Sequence, residues 1–122
     1  MNEPELNEPQ LVLNRVKTVS SGLPGRSISE VRQHLFVVDD PSIGQAMTAA
    51  DYFVSDIAAC AVNHMEVRAE NDGISLRKIE VELEARRDAA DTSVFLGIDF
   101  NITFYGVSQP EADALLAAYK SH

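Results

Sequence analysis

The side chain best suited to covalent chemistry is the thiol of Cys60, in the stretch "DIAACAVNHM" over residues 56–65, and it is the only cysteine among 122 residues. If this stretch is helical, residues four apart are neighbours, so Asp56, Cys60 and His64 share one side, with Phe53 and Ile57 close to the same stripe. The result is a row of acid, thiol and imidazole. The thiolate is the nucleophile; a protonated His64 favours it, whereas Asp56 or apolar burial opposes it. The alternative is inert: free cysteine is among the most buried residue types and commonly acts as a small hydrophobe. Spacing alone leaves both open. One cysteine makes no internal disulfide, so the thiol is inert, reactive alone, or paired outside this chain. The three histidines, His34, His64 and His122, have no zinc-ligand spacing. There is also no phosphate-binding glycine loop and no nucleotide fingerprint, so neither a metal nor an organic cofactor is expected.

Several elements must position these groups. Residues 1–10 hold two Glu-Pro pairs and no apolar period, as in a flexible N-terminal arm, and residues 11–122 are read as one domain. "LVLNRVKTV", residues 11–19, has strand composition, and "SSGLPG", residues 20–25, is dense in turn residues. A second strand is expected through "RSISEVRQHLFVV", placing Ile28, Glu30, Arg32, His34, Phe36 and Val38 on one face. "DDPSIGQAM" follows as a loop. Thr48 and Asp51 then stand in capping-box spacing, and Phe53, Val54, Ile57, Ala58, Ala61 and Met65 recur at helical spacing as far as "NDG", which predicts a helix over about 49–71. Its small residues Ala58 to Ala61 form a waist that lets another element approach closely.

"LRKIEVELEARRD" alternates Ile79, Val81 and Leu83 with charged residues, as a strand with one wet face does. "VFLGIDFNITFYG" puts Leu96, Ile98, Phe100, Ile102 and Phe104 on one face, and an antiparallel hairpin with the preceding strand is expected. Ser108 and Glu111 open a last helix in capping-box spacing. Hairpins and helices segregated in this way argue an α+β fold.

A formal charge of -9, from 19 acidic and 10 basic residues, argues against nucleic acid and anionic membrane as partners. There is no run of about 18 apolar residues, and the start of the chain is acidic and polar where a signal peptide is basic and then apolar, so a soluble, cytoplasmic protein is expected. A chain this short gains core by association, and a homodimer centred on the long helix is expected.

The run "VRQHLFVVDDPSIGQAMTAADYFVSDIAACAVNHMEVRAENDGISLRKIEVELEAR", followed by a strand hairpin and an alanine-rich helix, resembles the OsmC/Ohr family of thiol-dependent hydroperoxide reductases. The resemblance extends over residues 26–120, and is most specific in the order "VRQH", "DDP", "AAC" and "GISLRKIEVE". It implies an intertwined α+β homodimer of antiparallel strands, a long central helix and a C-terminal helix, with two active sites at the subunit interface. It also implies that Cys60 is the peroxidatic thiol, that Asp51 stands where many members carry glutamate, and that Arg32 or Arg26 is the activating arginine. Arg32 is preferred because, on a continuous strand, it shares a face with His34.

Nine residues on a straight helix put Asp51 half a turn away from Cys60, so contact requires a bent helix start or a partner chain. Phe36, Phe53, Ile57 and His64 are the expected pocket wall, suited to an organic peroxide. The family's resolving cysteine has no counterpart: the sequence stops at "YKSH", about where it would begin, so the chain is either cut short or works with one thiol and an external thiol or dithiol reductant. The rival function is a noncatalytic dimeric small-molecule binding or stress-related protein of the same fold that has lost the redox cycle.

Overall fold

The computed structural model describes residues 8–121; most of the arm expected over residues 1–10 lies outside the described residues, as does His122. The chain divides into two compact units, one ending at Ala49 and one beginning at Ala50.

The N-terminal unit is an antiparallel meander of β1 (Lys17–Ser20), β2 (Arg26–Val31) and β3 (His34–Asp39), in the order β1-β2-β3. The single strand expected through residues 26–38 is in fact the β2–β3 hairpin. Arg32 and Gln33 turn the chain with φ of 49° and 70°, the left-handed backbone of a two-residue hairpin loop. Arg32 therefore sits at a turn tip and does not share a strand face with His34, which pairs across the hairpin with Val31. The strand expected over residues 11–19 is likewise shorter. β1 begins at Lys17, paired with Glu30, and only Val31 of β2 lies beyond that pair, so the ladder has at most one further position. Leu11, Val12, Leu13 and Val16 are left outside the sheet and exposed.

The second unit holds α1 (Ala49–Asn71), β4 (Lys78–Asp88), β5 (Asp91–Tyr105) and α2 (Gln109–Lys120). α1 covers the span expected from the sequence and ends in a Schellman motif. Gly73, at φ 67°, takes the left-handed position; Gly73 N donates to Glu70 O at 3.4 Å and Ile74 N to Ala69 O at 2.9 Å. β4 and β5 form the expected antiparallel hairpin, with Ile79 opposite Phe104, Val81 opposite Ile102 and Leu83 opposite Phe100. Beyond Arg86 the register shifts, opposing Arg87 to Phe95 and leaving Leu96 unpaired and exposed. α2 opens with the expected capping box: Ser108 Oγ accepts from Glu111 N, and Ser108 N donates to Glu111 Oε1 at 2.9 Å.

The core of this unit is small. Ala61, Met65 and Ala69 on α1 pack with Ile79 of β4 and Leu115 of α2, joined by half-buried Val62, Ile74, Leu76, Val81, Ile102, Phe104 and Tyr119. The small-residue waist is therefore split between two surroundings: Ala61 lies in the core of this unit, while Ala59 and Cys60 are exposed. No helix among the described residues is long and apolar enough to cross a membrane.

Candidate functional site

The side of α1 that carries Ala61, Met65 and Ala69 is turned to the sheet and α2, so at 100° per residue Cys60 falls on the other side. Cys60 is exposed rather than packed as a small hydrophobe. It lines an open groove of about 730 Å³ together with Asp56, Ala59, Asn63, His64, Val67, Arg68 and Asn71. The acid, thiol and imidazole of the sequence row thus share one surface. Val67, 60% exposed, continues its apolar part toward the helix C-terminus, and Arg68 donates from Nε to Asp72 at 2.7 Å.

His64 is half-buried, its ring tilted at 58° against Tyr119 of α2 with centroids 5.8 Å apart. Tyr119 in turn meets Phe100 of β5 at 6.2 Å. Phe53 lies two turns before Cys60, 52% exposed, and stacks on Phe95 of β5 at 5.5 Å; Ile57 is half-buried. Arg87 lies over the Phe95 ring at 5.3 Å from its centroid.

Asp51 occupies the first turn of α1 and lines a different cavity, of about 520 Å³, with Val54, Leu83, Arg86, Arg87 and Phe95. Within this unit it is brought together with two arginines the sequence reasoning did not consider, and not with Cys60. The only advance signal for them was the "ARRD" end of β4. Arg86 pairs with Asp99 across the hairpin.

The remaining expected residues belong to the N-terminal unit. Phe36 is half-buried on β3, opposite Ser29. Arg26 and Asp39 are cross-strand partners. Arg26 Nε donates to Asp39 Oδ1 at 2.7 Å, and Nη2 to Asp39 Oδ2 and to Gln45 Oε1, each at 2.9 Å. The Asp39 side chain is fully buried, and its Oδ2 also accepts from the main-chain N of Gln45 and Ala46. The Arg26 guanidinium, aided by these two amides, holds the Asp39 carboxyl far below the usual carboxylate range. The pair ties the loop leading into α1 back to the sheet, and sequence reasoning missed Asp39's part in it. Arg32 carries no hydrogen bond or ion pair among the described residues and is exposed. Among the described residues, no cluster of three or more His, Cys, Asp or Glu side chains is arranged to hold a metal ion.

The OsmC-like protein family matches residues 42–122, two thirds of the chain. The chain belongs to this family. Solved structures agree on the fold of this OsmC-like protein. The organic hydroperoxide resistance protein OsmC of Legionella pneumophila is 22% identical with a TM-score of 0.70, over 93% of this chain and 85% of that one. An OsmC-like protein of Mycoplasma pneumoniae is 14% identical with a TM-score of 0.72, over 91% and 82%. The organic hydroperoxide resistance protein OhrB of Bacillus subtilis is 17% identical with a TM-score of 0.57, over 92% and 86%. At these identities the likeness concerns the fold. No curated protein sequence gives a significant match.

Proposed function

We propose that this OsmC-like protein reduces organic hydroperoxides through Cys60, with an external thiol or dithiol closing the cycle. The observation that carries the proposal is the placement of the chain's one cysteine on an exposed, partly apolar groove instead of in the core. A thiol used only for packing gains nothing there, whereas a nucleophile needs that access. The Cys60 thiolate attacks the terminal peroxide oxygen, the O–O bond breaks, and the alkoxide takes a proton to leave as alcohol, giving Cys60 sulfenic acid. The external thiol then condenses with the sulfenic acid, releasing water, and a second thiol reduces the mixed disulfide. Phe53, Ile57 and Phe36 are the proposed wall for the organic group. An arginine of the N-terminal unit stabilises the thiolate and the developing oxyanion, with Asp51 as its orienting carboxylate. Arg32 is favoured over Arg26, whose guanidinium is engaged by Asp39 and Gln45.

The working form is proposed to be a cytoplasmic homodimer in which residues 11–122 act as one domain. Two features support association. Among the described residues the β4–β5 sheet has two strands, marginal on its own, and Leu11, Val12, Leu13 and Val16 expose apolar surface outside β1. Sedimentation should give a dimer at micromolar concentration, and a monomer there counts against this part of the proposal. The catalytic part is tested by following cumene hydroperoxide consumption with dithiothreitol: turnover is expected in the wild type and absent in Cys60→Ser. The second reading, a noncatalytic dimeric binding protein, is favoured by Asp51 lining a different cavity from the Cys60 groove. Equal background rates in both proteins would select it.

A further inference from the structure

We propose that His64 accepts the proton of the Cys60 thiol and that Tyr119 is the residue that positions it; this rests on the peroxidatic role of Cys60. Cys60 and His64 line the same groove one helical turn apart, where Cβ atoms lie about 5–6 Å from each other, within reach of proton transfer through one water. Imidazole is the side chain that ordinarily changes charge near neutral pH, so it can hold this proton where the enzyme must work.

The second observation is the packing of the ring. Tyr119 stands against His64 at 5.8 Å and is itself backed by Phe100 at 6.2 Å, so the imidazole meets an aromatic wall on its α2 side and has the groove on the other. A histidine with no role in the groove would have no need of this support from two other elements. Among the described residues, the charged and titratable side chains that line this groove or touch the ring include Asp56 and Arg68 on α1 and Tyr119 on α2. Asp56 is an anion and Arg68 a cation, the latter with its Nε bound to Asp72. The pair of opposite charges, thiolate and imidazolium, is compatible with both neighbours. Within the peroxide step the proton balance closes: it passes from Cys60 Sγ to the imidazole, sulfur is oxidised by two electrons as the O–O bond is reduced, and the imidazolium returns the proton to the departing alkoxide.

The test is the pH dependence of Cys60 alkylation by iodoacetamide in the full chain, which needs no peroxide. The wild-type rate should rise with pH through an inflection that depends on His64. His64→Gln should remove it and slow alkylation at pH 6.5 by about tenfold or more. Tyr119→Phe should retain the inflection. Tyr119→Leu should displace it and slow alkylation several-fold, with no further effect in the His64→Gln background. A His64→Gln profile within twofold of wild type at every pH overturns the proposal, as does sulfenic acid formation at the wild-type rate in that variant. If the wild type forms no sulfenic acid with cumene hydroperoxide yet its alkylation depends on His64, the proton-transfer pair stands and the peroxidase function alone falls.

Discussion

Replacing Met65 by alanine tests which side of α1 is packed, and hence why Cys60 is accessible. Met65 has no exposed surface and sits among Ala61, Ala69, Ile79 and Leu115, so its truncation removes buried atoms and leaves a cavity in a core with few members to collapse into it. Such truncations cost about 2–5 kcal/mol, and about 3 kcal/mol is a reasonable expectation here. With an unfolding entropy of about 2.1 cal/mol/K per residue, a 122-residue chain gains roughly 0.26 kcal/mol per kelvin, so Tm should fall by about 12 °C. The neighbouring Glu66 is exposed, and Glu66→Ala should stay within about 0.5 kcal/mol of wild type. Both are read from thermal melts and urea titrations at one fixed protein concentration, since association would otherwise shift the midpoint. A Met65→Ala cost below about 1 kcal/mol would refute the reasoning, for it would mean that another face of the helix, Cys60's included, carries the packing.

The acid limb of stability should depend on Asp39. The Arg26 guanidinium holds its folded-state carboxyl far below the ordinary carboxylate range, so its contribution is present above that range and is lost as pH falls through it toward the folded-state value. Asp39→Asn should be less stable than wild type at pH 7, with the gap closing below about pH 4; a gap in urea midpoint that stays constant from pH 7 to pH 3 would contradict the assignment. Ser108→Ala should cost about 1 kcal/mol by removing the N-cap acceptor of α2, and the Ser108→Ala, Glu111→Ala pair should cost less than the sum of the two, because each satisfies the other's main chain. Strict additivity in denaturant titrations would rule out the reciprocal cap.

The second unit was the legible part of the fold because its signals are local. α1 has an acid in its first turn and Gly73 beyond its end, α2 has a reciprocal cap, and β4 alternates cleanly. The β2–β3 hairpin was hidden because its two left-handed positions are filled by Arg32 and Gln33, without the glycine or asparagine that usually announces such a turn. Once that turn is missed, the register that sets Arg26 opposite Asp39 cannot be found, and Arg32 is given a strand face it does not have. The length of β1 was also beyond reach, since it is decided by where its neighbour ends.

The site was half legible. Helical spacing puts Asp56, Cys60 and His64 together, but α1 is apolar on both sides, with Phe53, Ile57 and Val67 near the thiol and Ala61, Met65 and Ala69 away from it. Pattern alone cannot say which side meets the sheet. The contacts of His64 with Tyr119, and of Asp51's cavity with Arg86 and Arg87, join elements far apart in sequence and follow only from the packing.

The most direct test of the central claim is a single-turnover experiment on the intact protein: one equivalent of cumene hydroperoxide, dimedone to trap sulfenic acid, and mass analysis of the chain and its peptides. The account predicts one dimedone adduct per chain on Cys60, formed with stoichiometric loss of the hydroperoxide and absent in Cys60→Ser. A native protein whose Cys60 stays reduced while the hydroperoxide persists, and whose thiol reacts only after unfolding, would contradict it.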